Sequence, residues 1–363
     1  MSAAEFGSHL RLTLTGSSHG PSVGCELRGL PRGTPIHLAP IQRMLDRRSP
    51  SRRRLASRRQ EPDRLVVDGG WINGRSTGGV LRLHVENRDA RRSEYDRIQF
   101  TPRPGHADYT ARVRYGPTAD LAGGGIFSGR MTVGLVAAGA VAAQLLEPLG
   151  VRVAAYAEEI GGVPAEVPEG LDWTEIGIRR DSNEVSTSDP KAAPAMEQAI
   201  AVARRVGDSV GGVVAVRAWG VPVGLGEPFF DSIESVLAHL AFAIPGVKGV
   251  EFGAGFAAAR LRGSENNDPF RWEGDRVTTS RNRAGGVLGG LATGMPLTWR
   301  IAIKPTPSIP RAQQTVDLRT HQAATIRVGG RHDPCIVPRA VVVAEAVTLF
   351  GLADLAFAGG FLP

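Results

Sequence analysis

Apolar and polar positions alternate over residues 9–15 (HLRLTLT), the two-residue period of a half-buried strand, before the chain turns through Gly16-Ser17-Ser18-His19-Gly20-Pro21. Strand-like segments recur at 25–28, 65–68 and 80–86, with a turn-rich stretch at 69–79. A small-residue helix is predicted from about Ser128 to Glu147, and an amphipathic one over 191–206. Further helices are expected at 232–243 and 339–357, and strands at 212–219 and 297–303. Residues 157–190 are polar and turn-rich and read as a long surface connection. Helices and strands are mixed without a regular βαβ alternation, so the class is α+β. A glycine turn followed by a small-residue helix occurs in both halves, which points to an internally pseudo-duplicated architecture.

Composition narrows this picture. The 363 residues, 42% of them hydrophobic, can bury a large core, and are read as a single domain, 1–363. The 46 glycines and 25 prolines imply many tight turns, which suits an enzyme better than a helical scaffold. Cys25 and Cys335 stand far apart and without metal-ligand spacing, so neither a disulfide framework nor a metal site is suggested. The most apolar stretch, 133–146, is too short to span a bilayer, and the final apolar run carries Glu345 and Asp354. A cytoplasmic protein with no membrane partner is expected.

Net charge is +7, and much of it lies between Arg43 and Arg64, where nine arginines face Asp46, Glu61 and Asp63. Guanidiniums so close repel one another unless an anion relieves them, so this stretch is a candidate poly-anion site. Pro50 and Pro62 favour a loop over a continuous helix. No aromatic residue is interleaved with these arginines, which argues against nucleic acid as the partner.

Several short motifs carry chemistry. Gly16 to Gly20 fits the G-x-S-x-G nucleophile elbow, but the strand-like 25–28 stands where that motif needs a helix. What remains is a turn displaying a hydroxyl and an imidazole, suited to proton transfer. A second histidine turn, Arg103-Pro104-Gly105-His106-Ala107-Asp108, sets a cation and a carboxylate alongside His106. Gly123-Gly124-Gly125 ahead of a helix start permits close approach to a phosphate. Gly253-Ala254-Gly255 to Ala258 fits G-x-G-x-x-A, but no βαβ unit encloses it.

Taken in order, GSSHGPSVGCELRGLPRGTPI, LDRRSPSRR, RQEPDRL, RPGHADYT, GDSVGGVVAV, GVPVGLGEPFFD, GVKGVEFGAGFAAARLRGSENND, NRAGGVLGG, KPTPSI and GRHDPCIVPRAV resemble the chorismate synthase family over nearly the whole chain. The resemblance implies core helices sandwiched between antiparallel sheets, a homotetramer, and reduced FMN (FMNH2) bound beside 5-enolpyruvylshikimate 3-phosphate (EPSP), from which phosphate is eliminated to give chorismate. By the same resemblance His19 and His106 are catalytic, with Asp333 assisting near the flavin and Ser18 and Ser128 relaying protons. Arg48, Arg54, Arg59 and Arg130 would bind the substrate. Ser128, Pro245, Gly246, Gly289, Arg331 and the segment Lys304-Pro305-Thr306-Pro307-Ser308 would hold the flavin. A separate flavin reductase is a candidate partner, the alternative being NADP-linked reduction by the chain itself.

The chain departs from the family's usual GESHG, RRRP, RRE and RGGGRSS patterns: Ser17, Ser49, Gln60, Ala122, Ile126, Phe127 and Met131 stand where charged or hydroxyl residues are usual. A paralogous lyase acting on a modified cyclohexene phosphate, and a non-catalytic flavin-binding relative, are the alternatives these changes leave open.

Overall fold

A computed structural model describes residues 4–49, 55, 61–89, 99–116, 120–330 and 332–363. The N-terminal part forms an antiparallel sheet from β1 (Ala4–Phe6), β2 (Arg11–Gly16), β3 (Ser22–Arg28), β4 (Val66–Gly69) and β5 (Leu81–Glu86), in the order β1-β2-β3-β5-β4. A second five-stranded antiparallel sheet follows, from β6 (Arg152–Ile160), β7 (Val163–Pro164), β8 (Gly212–Trp219), β9 (Val247–Phe252) and β10 (Leu297–Ile303), in the order β9-β10-β8-β6-β7. In β5, Leu81, Leu83 and Val85 are buried and the residues between them are not, so the two-residue period sets one face of the sheet inward.

Among the described residues, the α-helices of eight residues or more are α1 (Leu38–Arg48), α2 (Asp108–Tyr115), α3 (Thr132–Leu146), α4 (Trp173–Asp181), α5 (Ala193–Arg205), α6 (Ile233–Phe242) and α7 (Val337–Ala358). Two of them fill the space between the sheets. Helix α3 packs on β3, β2 and β5, α7 packs on β6 and β8, and α3 and α7 pack on each other. Both are apolar around nearly their whole circumference, as a helix covered on every side must be. Small residues allow the closeness: a Cβ on Gly139 would lie 2.4 Å from the Ala346 Cα, and one on Gly134 would fall on the Gly24 carbonyl. Sheet then long buried helix thus occurs twice along the chain, the repeat that the glycine turns and small-residue helices suggested.

Three sequence expectations are corrected. Residues 157–190 are not a surface connection: they complete β6, add β7 and α4, and bury Val185 to Asp189. Their polar side chains are consumed internally, as where Asn183 donates to the carbonyls of Arg179 and Thr187. The arginine stretch begins as helix and not as loop, with α1 running through Arg43, Arg47 and Arg48, although the helix does break at Ser49, the residue before Pro50, as that proline led one to expect. Arg52, Arg53, Arg54, Arg58 and Arg59 lie outside the described residues. Finally, 3₁₀ turns extend α3 to a 21-residue span, Gly129–Leu149, so that it and α7 are both long and apolar enough to cross a bilayer. It is their burial between two sheets that accounts for their apolarity, not their length.

Candidate active site

The N-terminal ends of α3 and α7 open onto one cavity of about 520 Å³, within the usual size of a small-molecule or cofactor site. Two helix dipoles therefore present their positive ends to it, which favours an anionic occupant.

The first wall is the turn carrying Ser18 and His19. Its carbonyls at Ser17 and Gly20 accept hydrogen bonds from the Asn87 amide at 3.0 and 2.8 Å, while the Ser18 N–H donates to Gly125. The glycine loop lies directly against His19. Gly123, Gly124 and Gly125 all have positive φ (59°, 90° and 53°), a run that side chains with a Cβ would resist. A Cβ on Gly123 would lie 1.9 Å from the His19 Cε1, and one on Gly124 would lie 3.1 Å from the His106 Nε2. The triple glycine is thus what lets two imidazoles approach one loop. Ser128 then caps the helical entry, its Oγ accepting from the Arg130 N–H at 3.2 Å.

The second wall carries His106. Its Nδ1 lies 2.7 Å from the Asp108 carboxylate, which also takes the Arg103 Nε and Nη2 at 2.7 Å each. Burial would raise the Asp108 carboxyl, but the Arg103 guanidinium and His106 outweigh it and hold it well below the usual carboxylate range. Arg103 also donates to the Ser308 Oγ at 3.1 Å, and the Lys304 Nζ donates to the Gly105 carbonyl. Burial and nearby Lys248 hold the Lys304 ammonium below its ordinary value.

The floor is a buried charge cluster. Asp63 receives the Arg48 Nη2 at 2.5 Å and the Arg130 Nη1, and Glu61 lies 3.7 Å from Arg130. Burial pushes the Arg48 guanidinium down to about 10, still cationic at neutral pH, and burial of Asp63 is outweighed by its two arginines, which keep it ionised. Arg130 also donates through Nε to the Asn87 Oδ1 at 2.9 Å, joining this cluster to the His19 turn. On the far side Arg339 pairs with Asp333 at 2.5 Å and donates to the Arg48 carbonyl at 3.1 Å. Arg47, beside Arg48, is gripped in a two-pronged pair by Glu345 of α7 at 2.9 Å, which fixes the end of α1 against the central helix.

Most of the predicted site residues therefore meet. Ser18, His19, His106, Ser128, Asp333, Arg48, Arg130, Pro245, Gly246 and Lys304 to Ser308 all line the cavity. Gly289 does not: it occupies an exposed turn whose neighbour, Gly290, accepts from the N–H at the start of α6, whereas the cavity lies at the other end of that helix. A ten-residue helix is about 15 Å long, so the two places are separate. Arg54, Arg59 and Arg331 lie outside the described residues. Asn87, Asp63, Glu61, Thr132 and Arg339 were not foreseen as parts of the site. Of the substituted positions, Gln60 lies outside the described residues, and Ser49 and Phe127 have local partners. Ser49 donates to the Glu61 carbonyl at 2.7 Å, and the Phe127 ring lies 6.2 Å from that of Tyr115. Two discarded motifs are accounted for as well. Strand β3, not a helix, follows the Ser18 turn, and Gly253 to Ala258 close an antiparallel strand with a 3₁₀ turn.

Residues 10–357 match the family model described as chorismate synthase. The chain is 49% identical over 349 residues to the chorismate synthase of Korarchaeum cryptofilum (strain OPF8), covering 96% of each chain. It is 47% identical over 362 residues to that of Methanosarcina mazei, covering 100% of this chain and 98% of the other. A solved crystal structure of chorismate synthase superposes with a TM-score of 0.77 at 27% identity, covering 98% of this chain and 93% of that one. The chain belongs to the chorismate synthase family, and with it to the carbon–oxygen lyases.

Proposed function

We propose that this chain eliminates phosphate from EPSP to give chorismate, with reduced FMN held in the cavity beside the substrate. The observation that carries the reading is the convergence of His19 and His106 on one triple-glycine loop, inside a cavity walled by buried arginines and by the Lys304 to Ser308 segment.

The residues fit a phosphorylated flavin. Arg48 keeps its buried Nε, and Thr306 its buried Oγ1, without a hydrogen-bond partner among the described residues, and both line the cavity. Buried donors left unmatched within a protein cost about 1–3 kcal/mol each, which an anionic ligand recovers. Lys304, Thr306 and Ser308 would hold the flavin phosphate, with Pro245 and Gly246 alongside and Arg331 joining them. Reduced flavin, when bound, supplies electron density transiently to a reaction without net redox change.

The chain's own residues do the rest. The 1,4-elimination breaks a non-activated C–H bond, whose electron pair passes into the ring's double bonds and whose proton the bound reduced flavin would accept, and a C–O bond, whose electron pair leaves on phosphate. His106 gives that phosphate oxygen a proton. His19, pinned under Gly123, would steady the charge of a reduced cofactor held there, and Ser18 and Ser128 would relay protons between the cavity and solvent. Arg48 and Arg130, with Arg54 and Arg59, hold the carboxylate and phosphate of the substrate. The apolar core beneath keeps water from the developing charge. A soluble cytoplasmic homotetramer, working with a separate flavin reductase, completes the proposal.

Titrating the protein anaerobically with reduced FMN, with and without EPSP, tests whether the cavity is the shared site. Flavin binding that tightens at least tenfold with EPSP is expected, and is lost in Thr306→Val combined with Lys304→Ala. An absence of flavin binding under both conditions would overturn the reading.

A further inference from the structure

Resting on that reading, we propose that Arg103 and Asp108 are positioning residues for His106: they keep its Nδ1–H on the Asp108 carboxylate, so that Nε2 is the ring atom presented to the substrate. Lys304 and Ser308 hold this pair in register with the segment assigned to the flavin phosphate.

Two groups approach the His106 Nδ1, the Asp108 Oδ1 at 2.7 Å and the Arg103 Nη2 at 3.2 Å. Were Nδ1 unprotonated, its lone pair would face the carboxylate oxygen at that shorter distance, which is repulsive. Arg103 Nη2 already has an acceptor in the same Asp108 oxygen at 2.7 Å. The arrangement that satisfies all three groups puts the proton on Nδ1. Nε2 then points to the glycine loop, where a side chain on Gly124 would be in close contact with it.

Asp108 is suited to stay a carboxylate throughout. It begins α2, where the helix dipole favours a negative charge, and it accepts from the Arg103 backbone N–H at 3.0 Å as well as from both prongs of its side chain. It therefore stabilises imidazolium without taking its proton. As the C–O bond breaks and its electron pair moves to phosphate, Nε2–H supplies the proton and the ring is left neutral with Nδ1–H unchanged.

The turn bearing this pair is fastened to the other half of the molecule. Lys304 holds the Gly105 carbonyl, the Ser308 Oγ takes an Arg103 N–H, and the Thr315 Oγ1 donates to the Pro102 carbonyl at 2.6 Å. Gly105, at φ 72°, packs against Pro307, a Cβ there lying 3.3 Å from the proline ring. Loop 304–308 thus faces both the cavity and the histidine turn.

The test uses the flavin-loaded enzyme for kinetics and the flavin-free protein for nitrogen-15 NMR of the His106 ring, assigned with His106→Gln. Asp108→Asn is expected to lower kcat about 100-fold, the usual worth of a positioned acid or base, with KM for EPSP changed less than about threefold. In the same variant the Nδ1–H signal is replaced by a mixture of ring tautomers. Arg103→Lys, which keeps charge but loses the fork, retains the tautomer and falls between the two in kcat. A wild-type ring protonated on Nε2 alone, or Asp108→Asn within threefold of wild-type kcat, would overturn the proposal. Absence of EPSP turnover in the wild type would fail the functional reading instead, leaving the tautomer to decide this one. The wild-type tautomer also decides it should Asp108→Asn not fold.

Discussion

Gly123→Ala is expected to cut turnover by at least about 100-fold while leaving the protein folded. The added methyl would lie 1.9 Å from the His19 Cε1 and 2.2 Å from its Nδ1, and the residue would keep a φ of 59°. An alanine held in the left-handed region costs about 1–2 kcal/mol, which a core of this size absorbs. The clash is the larger effect, because the ring must leave the place where it meets the cavity, and a displaced acid or base forfeits about 10²–10⁴ in rate. Steady-state kinetics beside thermal unfolding checks this. A variant with near-wild-type kcat would mean that His19 need not sit beneath the loop.

Asp63→Asn has the largest expected effect on stability, a loss of about 3–5 kcal/mol, because it leaves Arg48 and Arg130 buried with their shared counter-charge removed. Asparagine is the informative replacement, since Asp63 has a φ of 47° and asparagine tolerates that conformation. The pH dependence has a definite sign. Asp63 is depressed in the folded state, so its stabilisation is fully present above its unfolded value of about 3.9 and is lost as pH falls through the lower folded value. The difference between wild type and variant in urea unfolding should be flat from about pH 5 to 8 and shrink below about pH 4. A difference under 1 kcal/mol at neutral pH would show that water or another group compensates the arginines.

Much of this site was legible in the sequence because its histidines stand in turns with short-range signals. Arg103, Gly105, His106 and Asp108 fall within six positions, and the pairing of cation and carboxylate with the imidazole could be read from adjacency alone. The triple glycine was likewise visible, though not its reason, the closeness of His19 from a strand turn about a hundred residues earlier. Asn87 could not be found this way: its partners at Ser17 and Gly20 are 70 and 67 residues distant, and nothing around it marks it as more than the end of a strand. Asp63 read as one acid among many arginines, and only burial reveals it as the shared counter-ion of two. The strands were found where alternation is clean, as in residues 9–15 and 80–86. The region 157–190 was missed because its polar residues bond within the fold, which composition cannot distinguish from bonding to water. Gly289 was placed by resemblance, and this chain keeps it away from the cavity.

The most direct test of the account is a single anaerobic turnover with stoichiometric reduced FMN and EPSP, following phosphate and chorismate together. Phosphate and chorismate are expected in equal amounts, with the flavin still reduced at the end. Bound flavin and bound EPSP with neither product would contradict it, and would point to a modified cyclohexene phosphate as the substrate of a cavity rimmed by Ile126 and Phe127.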